Sequence, residues 1–376
     1  MFTRSIPLLA VLLLACSGTA SSTLDTASGG GTGSTSAGAG GQSTFDGSST
    51  SDGPAVGVTT ATSSSSGSGG MSTQLGCFDE PPADAPPLSA LVDATGCPDV
   101  KAGANTVDNR TFLLAVPSDL QPDEKLPVVF LWHWLGGSGQ GFLNKAEVQT
   151  AVDHYRFIGV AMEAKGDLPF KWPFLSASTP VVGNSEKRVQ EDLSFFDRTL
   201  ACVNHSFNIN RQCISSVGVS AGALFTQVLA GKRSEVLSSF ESLSGGEGDP
   251  VRSWNEGPRA LPAMVLWGGP TDSCAGIFSF DQLSKSLANK LAKNEHFLLE
   301  CIHNCGHSVP PFEPLPSSPT TFGVMWEFVL DHPRWLKAGD SPWLKKGFPE
   351  GFPSWCSMGV GKATPRVGAC KEKSSC

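Results

Sequence analysis

The sequence predicts an α/β fold: a mainly parallel sheet covered by helices on both faces and braced by disulfides. Three observations carry this. Short apolar runs recur at regular intervals from Thr111 onward, helical stripes fall between them, and an even set of cysteines follows an export-type N-terminus. The runs predicted as strands are Thr111 to Val116, Val128 to Trp132, Phe157 to Met162, Ile214 to Val219, Phe240 to Leu243, Ala263 to Trp267 and Phe297 to Cys301. Between the third and fourth, Val189, Leu193, Phe196 and Leu200 stand at offsets 0, 4, 7 and 11, one stripe of a 3.6-residue period. Leu283, Leu287 and Leu291 repeat the pattern before the last strand. Both stripes predict helices that lay an apolar face on the sheet. No internal repeat is found, and no Gly-x-Gly-x-x-Gly or phosphate loop follows a strand, so no cofactor is expected.

The chain begins with Arg4 and an apolar run from Ile6 to Ala15, too short to span a bilayer but suited to a signal-peptide core. That run ends Leu13-Leu14-Ala15-Cys16, which resembles a bacterial lipobox and predicts a signal peptide over 1–15 with lipid on Cys16. Ser17, rather than Asp, follows that cysteine and resembles outer-membrane sorting. Residues 17–76 hold 48 Gly, Ser, Thr or Ala out of 60, with no Lys or Arg, too little apolar surface to offset the entropy of ordering. The segment 16–76 is therefore expected to be a disordered, lipid-anchored linker, with the membrane as a partner and the folded domain displayed outside the cytoplasm. From Cys77 onward 26 basic residues face 32 acidic ones, and no basic run exceeds two residues. A nucleic-acid partner, which needs a clustered cationic surface, is not expected.

Setting Cys16 aside leaves ten cysteines, an even number that in an exported chain implies disulfides. Connectivity stays open, with Cys77–Cys97 and Cys202–Cys213 the attractive local pairs. Cys301, His303, Cys305 and His307 also have the residue types of a zinc site, but the balanced count favours disulfides and no metal is expected.

The strongest chemical signal is Gly218-Val219-Ser220-Ala221-Gly222, set between the predicted strand Ile214 to Val219 and an apolar helix pattern, Leu224 to Leu229. A sharp strand-to-helix turn needs small residues beside the serine, and it lifts the hydroxyl toward a substrate at a helix N-terminus. A serine hydroxyl also needs a base and an acid to orient that base. In the chain order Ser, acid, His, Asp272 follows the strand Ala263 to Trp267 and His307 follows the strand Phe297 to Cys301. Glu247 and Asp249 are the rival acids, and His303 is the rival base. The loop His133-Trp134-Leu135-Gly136-Gly137-Ser138-Gly139 after the second strand supplies an oxyanion-hole candidate. Backbone N–H groups of Ala221 and of Trp134 or Leu135 would be the donors. Trp172 and His133 are candidate substrate-binding residues.

At these residues the chain resembles the α/β-hydrolase branch of extracellular polyhydroxybutyrate depolymerases and feruloyl or acetyl-xylan esterases, over about Asn109 to Asp331. The likeness rests on Arg110 to Pro117, Leu126 to His133, Glu191-Asp192-Leu193-Ser194-Phe195 and the elbow itself. It implies Ser220 as nucleophile, Asp272 as acid and His307 as base in a serine esterase acting on a carboxylic ester, polymeric esters included. Two positions depart from the family: its His-Gly becomes His133-Trp134, and the His-Gly before its acid becomes Gly268-Gly269. The C-terminal extension from about residue 332 carries Trp335, Trp343, Phe348, Phe352 and Trp355 beside Cys356, Cys370 and Cys376, and is expected to form a disulfide-pinned cap. A peptidase or lipase on the same fold, or a silent surface module binding polysaccharide or polyester, remain the alternatives.

Overall fold

The computed structural model describes residues 76–177, 179, 185–309 and 312–370. The expected signal peptide, Cys16, most of the linker and Cys376 lie outside the described residues. Every predicted strand is present. They are β2 (Arg110–Ala115), β3 (Leu126–Trp132), β4 (Ile158–Met162), β5 (Ile209–Val219), β6 (Ser239–Leu243), β7 (Ala263–Trp267) and β10 (Leu298–Ile302), preceded by an unexpected β1 (Gly103–Val107). A short hairpin, β8 (Ser273–Cys274) with β9 (Phe278–Ser279), and a last strand β11 (Cys356–Met358) complete the set. The main sheet has nine strands in the order β1-β2-β4-β3-β5-β6-β7-β10-β11. Pairing is parallel from β4 through β10 and antiparallel at both edges.

Strand alternation sorts the core into two layers. Val128, Phe130 and Trp132 of β3 face one side, and Val129 and Leu131 face the other. The first side is covered by α3 (Glu186–Ser206), α4 (Ala221–Lys232) and α5 (Phe280–Lys293). The second is covered by α1 (Gly139–Lys145), α2 (Val148–Tyr155) and α6 (Gly323–Asp331), with α7 (Trp343–Lys346) beyond them. The stripe Val189, Leu193, Phe196 and Leu200 is buried on α3, as is Leu283, Leu287 and Leu291 on α5.

Two expectations are corrected. The cysteines do not close local loops: Cys77 bonds Cys213 and Cys97 bonds Cys202. Cys202 lies near the end of α3 and Cys213 well inside β5, so the segment that precedes the sheet crosses and staples both elements. Cys301–Cys356 and Cys305–Cys370 follow, and Cys274 is also disulfide-bonded. The C-terminal extension is disulfide-pinned as expected, but it adds β11 to the sheet edge, with Cys301 and Cys356 as register partners, rather than forming a cap. Trp343 and Trp355 are buried in the second core layer, while Phe348 and Phe352 stack on each other at its margin.

Candidate active site

Strand β5 lies between β3 and β6, and its register sets Gly218 opposite Trp132 and Val219 opposite Leu243. At its end Ser220 takes φ 54° and ψ −119°, a conformation rarely adopted by residues with a side chain. The turn is held from both sides. Ser220 N–H donates to the Leu243 carbonyl at 2.9 Å, and its own carbonyl accepts the first α4 bond from Leu224 N–H at 2.9 Å. The two flanking glycines are demanded by close backbone approach: a Cβ on Gly218 would collide with the Gly222 carbonyl, and one on Gly222 with the Trp132 carbonyl.

Ser220 Oγ lies 2.8 Å from His307 Nε2, and His307 Nδ1 lies 2.7 Å from Asp272 Oδ1. Because Nδ1 faces a carboxylate, it carries the proton in the neutral ring, which leaves Nε2 to accept from the serine hydroxyl. Asp272 is fully buried, and its Oδ2 accepts from Gly268 N–H and from the Ser244 hydroxyl, each at 2.8 Å. Its orientation is therefore fixed by three donors. Phe280 stacks on the His307 ring, the two centroids 4.2 Å apart.

Two of the rivals, Glu247 and His303, are spent elsewhere. Glu247 accepts from Trp254 N–H, from Lys290 Nζ and from the Ser286 hydroxyl. His303 is buried, its Nδ1 accepts from Cys305 N–H at 3.1 Å, and burial pushes its pKa down to about 4. Cys301 and Cys305 are both in disulfides, so neither offers a thiolate to a metal.

The departures from the family pattern have local explanations. Gly268 backs directly on the Gly306 carbonyl, where no Cβ fits, and Gly269 has φ 66°. A glycine pair therefore suits the close approach of the acid and histidine loops. The Trp134 side chain turns back over its own loop toward Gly137 and joins the second core layer, half-buried beside Phe142. A turn from Trp134 to Gly137 is closed by Gly137 N–H to the Trp134 carbonyl at 3.0 Å, and Ser138 caps α1 through Gly141 N–H at 3.1 Å.

His133 and Trp172, expected at the substrate, are core residues. Both are 1% exposed. His133 Nδ1–H donates to the Trp134 carbonyl at 2.8 Å, and Trp172 Nε1–H donates to the His133 carbonyl at 2.8 Å. Burial holds the His133 imidazole below its ordinary pKa. Their polar atoms shape the loop from within. The sequence reading missed Ser244, Phe280 and Glu163. None belongs to a motif, and each reaches its place only through the packing of segments separate in sequence.

No family model matches the chain. Among curated proteins, it is 24% identical over 162 residues to the probable feruloyl esterase C of Aspergillus terreus, covering 42% of this chain and 56% of the relative. It is 24% identical over 158 residues to the feruloyl esterase C of Emericella nidulans, covering 41% and 54%. The chain thus spans about half the length of these curated relatives. Among solved structures, a complex of a pOPH variant with DMSO superposes with TM-score 0.55 at 16% identity, covering 70% of this chain and 95% of that one. Native sOPH superposes with TM-score 0.52 at 18% identity, covering 71% and 98%. With the sheet order and the strand-turn-helix elbow, these likenesses establish the α/β-hydrolase fold.

Proposed function

We propose that this protein is a serine carboxylic-ester hydrolase. The observation that carries the reading is the unbroken hydrogen-bonded line from Ser220 through His307 to Asp272, with the serine raised on a strained elbow. Feruloyl esterases among the relatives support an ester as the acyl substrate, with polysaccharide-linked acyl groups and polyesters as the classes to assay.

In this reading Ser220 Oγ attacks the ester carbonyl carbon as its proton passes to His307 Nε2. Asp272 Oδ1, accepting from Nδ1–H, favours the imidazolium that forms. The oxyanion is held by backbone N–H groups of Ala221, at the α4 N-terminus, and of Trp134 or Leu135. The protonated ring then donates to the leaving alkoxide, which breaks the C–O bond and leaves an acyl-Ser220. A water activated by His307 releases the acid and restores the serine.

The test is covalent labelling of Ser220 by a fluorophosphonate, followed by turnover of nitrophenyl acyl esters, feruloyl esters, acetylated xylan and polyhydroxybutyrate film. Ser220→Ala is expected to abolish labelling and to lower kcat at least 10⁴-fold with an unchanged circular dichroism spectrum, on the order of what triad loss costs. Near-normal turnover by that variant refutes the mechanism.

We further propose that lipid on Cys16 anchors the enzyme outside the cytoplasm, on the motif Leu13-Leu14-Ala15-Cys16. Cys16→Ser is expected to shift the protein from the membrane to the soluble fraction. A mature N-terminus at another, unmodified residue counts against the anchor.

A further inference from the structure

The loop from His133 to Gly139 carries the proposed oxyanion donors, and its two ends are tied to one place. Parallel pairing of β3 with β4 sets Trp132 opposite Met162, so the residues that leave the two strands, His133 and Glu163, emerge side by side. At the far end of the loop, Gly139 N–H donates to Glu163 Oε1 at 2.7 Å. At the near end, Ala164 N–H donates to His133 Nε2 at 3.4 Å, and Glu163 Oε2 stands 3.7 Å from the same nitrogen. The Glu163 backbone is itself fixed, its N–H donating to the Thr111 carbonyl at 3.1 Å and its carbonyl accepting from Arg110 Nη2 at 3.4 Å. Gly139 sits so close to this carboxylate that a Cβ there would touch Oε1 at 2.9 Å. Between these ends lie the His133 bond to the Trp134 carbonyl, the turn from Trp134 to Gly137 and the Ser138 cap, so the path of the Trp134 and Leu135 amides depends in part on where Gly139 is held.

We propose that Glu163 is a positioning residue for the oxyanion loop: by accepting from Gly139 N–H it sets the direction in which the Trp134 and Leu135 amides point. The inference rests on the serine-esterase reading. Glu163 touches no reacting atom. Its loss is felt in the transition state, where the amides meet a developing negative charge, and hardly in ground-state binding. What matters is an acceptor at the right reach, not its charge.

The experiment compares Glu163→Ala, Glu163→Asp and Glu163→Gln on a nitrophenyl ester, together with inhibition by a phenylboronic acid, whose tetrahedral serine adduct places an oxygen where the oxyanion would sit. Expected is a kcat lower by about 10- to 100-fold for Ala and Asp with KM nearly unchanged, below the full loss of an oxyanion donor. The boronate should weaken in parallel. Gln, which keeps the reach and an acceptor oxygen, should stay within about threefold of the parent, since the neutral acceptor still takes the Gly139 bond. Should the Ala variant fail to fold, the Asp and Gln pair decides alone. Unchanged kcat in the Asp variant, a Gln variant as impaired as Asp, or a loss confined to KM would each overturn the proposal. Fluorophosphonate labelling of Ser220 in the parent protein keeps the two claims apart: absent labelling fails the esterase reading, whereas normal labelling with indifferent Glu163 variants fails only this one.

Discussion

The Cα of Gly222 faces the carbonyl oxygen of Trp132 with no room for a Cβ between them. This contact joins the N-terminus of α4 to the end of β3, and so brings the elbow against the loop that would bind the oxyanion. The obstructing carbonyls, of Trp132 in a central strand and of His133 beside it, are both backbone, and neither can move without disturbing the sheet. Gly222→Ala is therefore expected to cost at least about 3 kcal/mol, the upper range of overpacking penalties, or to prevent folding. Urea unfolding checks this. A variant with parental stability and turnover would contradict the stated contact.

Asp272 illustrates a site in which one carboxylate serves three donors: His307 Nδ1–H, Gly268 N–H and the Ser244 hydroxyl. Asp272→Asn presents an amide where acceptors are needed and favours the wrong imidazole tautomer, so kcat should fall by about 10³- to 10⁴-fold. Ser244→Ala removes a single donor and should cost much less. Steady-state kinetics on one ester substrate decides, and an Asn variant with parental kcat would remove Asp272 from the proposed triad.

The pH dependence follows from the base. In the proposed mechanism His307 accepts the serine proton only when neutral, so kcat/KM is expected to fall tenfold per pH unit on the acid side of one ionisation. His303, pushed down to about 4 by burial, stays neutral across that limb, and His303→Gln should leave the limb in place. A zinc chelator under non-reducing conditions should leave turnover unchanged, since Cys301 and Cys305 are already in disulfides. Lasting inactivation restored by zinc alone would overturn both the serine and the disulfide assignments.

Stability carries two opposing pH dependences. His332 is fully buried, its ring bonded to the Phe328 carbonyl and the Ser341 hydroxyl, and burial pushes its pKa down from 6.5 to about 4. Its contribution is complete above pH 6.5 and is lost as pH falls toward about 4. Glu241, in the middle of β6, is also fully buried, and neither carboxyl oxygen has a hydrogen-bond partner among the described residues. Desolvation raises its pKa well above 4.5, so its contribution is complete below that value and is lost as pH rises toward the folded pKa. Glu241→Gln should therefore gain stability relative to the parent by up to about 1.4 kcal/mol per pH unit above the carboxylate range. Urea unfolding across pH checks it, and a constant difference between the two proteins would refute the buried-carboxyl account.

The pair Cys305–Cys370 closes a span of 65 residues and stands two positions before the histidine, where Asn304 Nδ2–H also donates to the Gly368 carbonyl at 2.7 Å. Replacing both cysteines by serine is expected to cost about 2–4 kcal/mol, the usual effect of opening such a loop. Thermal unfolding under non-reducing conditions measures it. An unchanged midpoint would mean that the tail is held without the bond.

The strands of the parallel core were legible because each is a short apolar run between turn residues, and α3 and α5 because their stripes keep the helical period. Ser220 was legible because the elbow's steric demands fall on neighbours in sequence, Gly218 and Gly222. Asp272 and His307 followed from chain order after their strands. By itself, then, the sequence determined the layered α/β architecture, the elbow and the residues eligible to complete the site, since these depend on local backbone geometry and on periodicity. Edge strands β1 and β11 escaped because an edge needs neither a long apolar run nor strict alternation. Only the tertiary structure decided which cysteines meet, because the chain from Cys77 to Cys97 crosses α3 and β5. It also turned His133 and Trp172 inward, and it brought Ser244 to Asp272 and Glu163 to Gly139. Such contacts join loops far apart in the chain, and their geometry is set by strand register and by the close passage of backbones, which no local pattern of residues encodes.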